Sequence, residues 1–208
     1  MHFITDFADQ AVILPMVVVV SGVLAAQGWR RGAAAWLAAI AGTSATMLVL
    51  KLVFLSCSGV FGPADMRSPS GHAAAAAVVA GGFAVLLLRG RGVSVLAVAV
   101  LAGVVIGISR LALGMHTLPE VVLGALVGVA GAAALARLAG PLPARLPVRR
   151  LLTVVALVAA LFHGLHLPAE AAIRHAALHV GRFLPACEPA PDAGQPADWS
   201  VAAARSDR

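Results

Sequence analysis

Three short groups of residues hold nearly all the chemistry this chain could do. The first is Lys51. The second is Arg67-Ser68-Pro69-Ser70-Gly71-His72. The third is Ser109-Arg110, followed six residues after the arginine by His116 and then by Thr117-Leu118-Pro119-Glu120. Lys51, Arg67 and Arg110 together suit a phosphate group, offering several donors and the charge to balance a dianion. Ser70 and Gly71 open an apolar stretch, and a helix beginning there points free backbone N–H groups and a positive dipole end at an anion. Gly71 has no side chain to keep a phosphate oxygen from its backbone. His116 is an available nucleophile, and His72 an available general acid.

The elements that carry these groups follow from composition. The 208 residues are 61% hydrophobic and only 12% charged, with a mean hydropathy of +0.95. Soluble domains carry about twice that share of charge, so disorder, a collagen-like fibre and a disulfide scaffold are excluded. A soluble core of this size could not hide so much apolar surface. The bilayer is the natural solvent, and six spans of about 20 residues account for most of the chain. Six apolar stretches are read at 11–26, 33–55, 71–88, 93–115, 118–138 and 151–165. The expected fold is therefore all-α, a six-transmembrane-helix bundle over residues 1–166. Gly103 and Gly107, and again Gly124 and Gly128, have the spacing that lets helix backbones approach, or else reflect the Ala/Gly bias of the chain. The first residues lack the positive region of a cleaved signal peptide, so the first span reads as a retained helix.

Arginines orient the bundle. Arg30 and Arg31 follow the first span, Arg89 and Arg91 the third, and Arg137, Arg145, Arg149 and Arg150 the fifth; the N-terminus has Asp6 and Asp9 instead. Positive-inside logic puts those three loops in the cytoplasm and both termini outside. The chemical groups then converge at the outer ends of spans two to five, where unpaired charge is costly. Singly, each has a plainer reading. Lys51 could snorkel to the headgroups, Ser70 could be only an N-cap, and Thr117 with Glu120 fits a capping box. Those readings leave two histidines and three cations on one face without a purpose. Of the 15 basic residues, moreover, Lys51 is the one lysine.

These motifs resemble those of the type 2 phosphatidic acid phosphatase superfamily, which shares its fold with vanadium haloperoxidases. Its second motif, Pro-Ser-Gly-His, stands unchanged at Pro69-Ser70-Gly71-His72. Its third, Ser-Arg, five residues, His, three residues, Asp, is matched by Ser109, Arg110, His116 and, in the Asp position, Glu120. Its first, Lys, six residues, Arg-Pro, is met only by Lys51, with Ser58-Gly59 where Arg-Pro belongs. Arg67 is the other cation of that loop and stands to supply the missing guanidinium. The resemblance implies a metal-free phosphomonoesterase or pyrophosphatase with no cofactor. His116 would attack phosphorus and become a phosphohistidine, and Glu120 would hold its other ring nitrogen. His72 would protonate the leaving oxygen, while Lys51, Arg67, Ser70, Gly71 and Arg110 bind the phosphate.

The expected substrate is a phosphorylated or pyrophosphorylated lipid in a bacterial inner membrane, met at the periplasmic side. Phosphatidic acid, phosphatidylglycerol phosphate and polyprenyl pyrophosphate all fit. A phosphotransferase would carry the same motifs, and a non-catalytic lipid-binding or transport protein could retain the pocket. No nucleic-acid partner is implied, since the basic excess reports orientation.

The remaining features read as follows. His163, His166, His175 and His179 are polar-face histidines rather than metal ligands. Asp65 is a solvated loop residue or a partner of Arg67. Trp29 and Trp36 are expected as interface anchors. Residues 167–186 are expected to hold an interfacial amphipathic helix, and 187–208 a disordered tail. Cys57 and Cys187 both fall outside by this topology, so a disulfide between them is open, as are two free thiols.

Overall fold

The computed structural model describes residues 2–57, 66, 68–88, 92–143 and 148–181. Arg67, Asp65, Arg89, Arg91, Arg145, Cys187 and the tail 187–208 lie outside the described residues. All regular structure among the described residues is helical. The helices are α1 (His2–Asp6), α2 (Gln10–Ala26), α3 (Arg30–Ser56), α4 (Gly71–Leu87), α5 (Gly92–Ala112), α6 (Leu118–Leu138), α7 (Val148–Phe162) and α8 (Ala169–Gly181).

Helix ends fall where capping chemistry places them. Asp9 caps α2 through its side chain, and Ser70 caps α4, each supplying an oxygen to an otherwise orphaned N–H. The fourth apolar stretch continues to Met115 in sequence, but α5 stops at Ala112. Gly114 takes a left-handed φ of 64°, and Met115 N–H returns to the Arg110 carbonyl at 3.1 Å. Such a glycine ends a helix by turning the chain back over its last carbonyls. His116 is carried round that turn.

Around its centre the molecule packs small residues, while many large apolar ones face outward. Helix α4 is the central element, packed by α3, α5 and α6. Its buried positions are mostly Ala, Gly and Val. Leu14, Val18, Val100, Leu101, Val104, Val105, Ile108 and Leu126 are exposed instead. Water penalises such a surface and lipid does not, which accounts for the inverted arrangement. Three helices, α3, α5 from Val93 and α6, are long and apolar enough to cross a membrane. Helices α2 and α4 are apolar but have 17 residues each, and α7 has 15.

Both glycine pairs make close contacts. Gly103 and Gly107 of α5 face Ala125 and Val121 of α6, while Gly124 and Gly128 of α6 lie against the backbone of α4. A β-carbon on Gly124 would fall 2.2 Å from the Ser70 carbonyl oxygen. Backbone cannot yield as a flexible side chain can. Gly124→Ala is therefore expected to cost about 1–3 kcal/mol, measured by thermal unfolding in detergent, and to disturb the turn before α4.

One expectation is corrected. Trp29 and Trp36 are core residues rather than interface anchors, 7% and 1% exposed. Trp36 packs against the Phe83 ring at 5.2 Å, in a space that exists because residue 82 is glycine: a β-carbon there would stand 2.5 Å from the indole. Helix α8 forms over Ala169–Gly181 and packs on α3. Cys57, which caps α3, is disulfide-bonded.

Candidate active site

The two ends of the bundle differ in chemistry. At one end, Arg31 Nε donates to the Leu138 carbonyl at 2.9 Å, joining the start of α3 to the end of α6. At the other stand the C-terminal turns of α3 and α5 and the N-termini of α2, α4 and α6. The motif residues are at this second end.

Glu120 is the knot of the site. It is 4% exposed and sits in the first turn of α6, in a capping box with Thr117. One carboxylate oxygen, Oε1, accepts from Ser68 N–H at 2.7 Å. The other, Oε2, accepts from Thr117 N–H at 3.1 Å and lies 2.9 Å from His116 Nδ1. Its backbone carbonyl accepts from Ser70 N–H at 2.9 Å. A single residue thus ties the turn before α4 to the turn after α5. The capping role and the contact with histidine coexist, because a carboxylate has lone pairs enough for three donors.

That contact sets the histidine's tautomer. A carboxylate accepts, so Nδ1 carries the proton and Nε2 keeps its lone pair. Burial pushes the His116 pKa below its ordinary value of 6.5; the hydrogen bond and charge of Glu120 oppose this, while Lys51 and Arg110 add to it. That direction favours the neutral ring.

Lys51 is buried near the end of α3. Its chain passes over the start of α4, where a β-carbon on Gly71 would meet Lys51 Cε at 3.6 Å. Its Nζ donates to Ser68 Oγ at 3.1 Å and to Glu170 Oε2 at 2.5 Å. Ser70 is fully buried and caps α4 at Ala73 N–H, 3.5 Å away. Ser109 is held by Thr5 of α1, their hydroxyl oxygens 2.6 Å apart. Arg110 is in the last turn of α5, and its Nε is buried with no hydrogen-bond partner among the described residues. The carboxylates facing it are Glu170 and Asp9. His72 lies within charge range of Arg110, Asp9, His116 and Lys51, its Nε2 3.9 Å from Asp9 Oδ2.

Apart from Arg67, which lies outside the described residues, every motif residue is at this end. Two further carboxylates join them that the motifs do not include. Asp9 caps α2, accepting from Ala11 N–H at 2.8 Å, and approaches His166 Nδ1 at 3.4 Å. Glu170 comes from α8. The one signal for either was charge balance, since three cations against a single acid on one membrane face invite more acids. No spacing rule points to residues so far from the motifs. His163 binds the Phe3 carbonyl at 3.1 Å and packs on the Phe3 and Phe7 rings. His175 and His179 are paired with each other, Nε2 to Nε2, at 3.1 Å.

Beside Lys51 and Gly71 a cavity of about 80 Å³ runs between α2, α3 and α4, lined mostly by apolar side chains such as Ile13, Ile40, Met47 and Val78, with Gln10, Thr43 and Ser44 among them. Ile173 of α8 also lines it.

No curated protein and no solved structure matches the chain. The family model of the PAP2 superfamily matches residues 32–142, a stretch that holds Lys51, Ser70, His72, Arg110, His116 and Glu120. With more than half of its length inside that match, the chain belongs to the PAP2 superfamily, whose activity is of the phosphatase type.

Proposed function

We propose that this protein is a metal-independent lipid phosphate phosphatase working through a phosphohistidine. The observation that carries the reading is the His116–Glu120 contact at 2.9 Å, in range of the charges of Lys51 and Arg110. His116 Nε2 attacks phosphorus and the bond to the leaving oxygen breaks, with His72 giving that oxygen a proton. Nδ1–H stays on Glu120, whose carboxylate stabilises the ring as it gains positive character. Lys51, Arg110 and the N-terminus of α4 take up the charge on the equatorial oxygens. Water then attacks the phosphohistidine, His72 takes its proton, and inorganic phosphate leaves. Charge that a metal ion would balance elsewhere is balanced here by cationic side chains.

The substrate of this reading is a lipid phosphate or pyrophosphate. Its headgroup meets Lys51 and Gly71 while the start of its tail lies in the largely apolar cavity between α2, α3 and α4. In a six-span arrangement the site faces outward, opposite the arginine-bearing loops. Arg67, one residue before Ser68, supplies the guanidinium that the first motif lacks.

The test is phosphate release from a panel of lipid phosphates in detergent with chelator present. Release is expected from at least one lipid phosphate, and none from inactive His116→Ala controls. Arg67→Ala should lower the rate at least about 100-fold, with poor rescue by Arg67→Lys because the planar fork is lost. Activity that appears only when a divalent metal is restored would overturn the metal-free mechanism.

A further inference from the structure

The chemistry above needs Lys51 free for phosphate, yet its Nζ is held by Glu170 at 2.5 Å. The other Glu170 oxygen is 3.4 Å from Ser68 Oγ. Arg110 and His116 also face this carboxylate. An anion from α8 therefore stands among the groups assigned to the substrate's phosphate. One helical turn on, on the same face, Ile173 lines the largely apolar cavity that Lys51 and Gly71 also line. A charged head and a short apolar tail are thus presented together, in the order a lipid phosphate would present them.

We propose that α8 is a built-in substrate mimic, with Glu170 holding the phosphate's place on Lys51 and Ile173 holding the place of the first tail carbons. Substrate enters by displacing it. The proposal rests on the phosphatase reading for the identity of the displaced position. Helix α8 lies outside the stretch matched by the family model.

The helix is held in a way that allows displacement. Its one buried side chain is Ala177, and Ser56 Oγ donates to the Ala177 carbonyl at 3.1 Å. Leu178 and Val180 on its other faces are exposed. Glu170 is an ionised competitor: burial works against its charge, but the hydrogen bond and charge of Lys51, with the charge of Arg174, hold its pKa below the ordinary value. Arg174, one turn away with its Nε 3.7 Å from Glu170 Oε1, can keep the carboxylate paired after it leaves Lys51. A phosphate dianion brings more charge and more acceptor oxygens to the same cations, so it can win the exchange.

The experiment uses full-length protein in detergent and two readouts, inorganic phosphate binding by calorimetry and lipid phosphate turnover. Glu170→Gln should tighten inorganic phosphate binding by about tenfold, the scale of one hydrogen bond between charged groups. It should lower KM for lipid phosphate similarly and leave kcat unchanged. Ile173→Ala should lower KM for the lipid while leaving inorganic phosphate binding as it was. In the wild type, saturating phosphate should speed tryptic cleavage after Arg174. Unchanged binding and KM in Glu170→Gln would overturn the proposal. So would a collapse of kcat, which would make Glu170 a positioning residue of the reaction. Tighter phosphate binding without turnover of any lipid phosphate would uphold the mimic and overturn the phosphatase reading. Turnover with no change in either variant would do the reverse.

Discussion

His116→Ala is expected to abolish turnover, by about 10⁴-fold or more, as loss of a covalent nucleophile does. No phosphoenzyme should form, so acid-labile ³²P transferred from a labelled lipid phosphate should disappear with the activity. His72→Ala should also lose turnover, but unequally. A substrate with a good leaving group needs little protonation at the departing oxygen and should retain more of its rate. The wild-type pH profile adds a signed expectation. The nucleophile must be neutral, and burial holds the His116 pKa below 6.5. The acid limb of kcat/KM due to this residue should therefore lie below 6.5, with activity retained above the lowered value and lost as pH falls through it. An acid limb above the ordinary histidine value that vanished with His72→Ala alone would contradict this assignment.

Glu120→Gln carries the second large effect, a loss on the order of 10²- to 10⁴-fold in kcat by comparison with the orienting acid of a hydrolase triad. The amide can still accept from Ser68 N–H through its oxygen. It then turns its NH₂ toward His116, which favours the tautomer with the proton on Nε2, where the lone pair is needed. Glu120→Asp keeps the charge and an acceptor for Nδ1–H at shorter reach, so its loss should be much smaller. A stability measurement separates this role from capping. If both variants lose similar stability and neither loses rate, Glu120 is a helix cap only. Removing the charge also removes what opposes burial at His116, so any residual activity in Glu120→Gln should extend to lower pH than in the wild type.

Much of the molecule was legible before any coordinates. The apolar stretches mark the main helices within a few residues, because a chain this poor in charge offers few places for a helix to break. The fifth stretch and α6 coincide at Leu118–Leu138, where a capping box marks the start and the apolar run sets the length. Family membership was legible too, from Pro69-Ser70-Gly71-His72 and from the spacing of Ser109, Arg110, His116 and Glu120, since short motifs at helix ends are local in sequence.

Tertiary structure alone decided what depends on approach between distant segments. The end of α5 at Ala112, three residues before its apolar run stops, is set by the left-handed turn at Gly114 that brings His116 round. Trp36 lies in the core because Gly82, 46 positions away, leaves room for its ring. Asp9 and Glu170 reach the motif end from α2 and α8, at sequence separations over which no periodicity or spacing rule operates. Local sequence dictates helices and caps through interactions within a turn or two. Which carboxylate meets Lys51 is decided by how helices far apart in the chain pack, and that is information only the folded bundle holds.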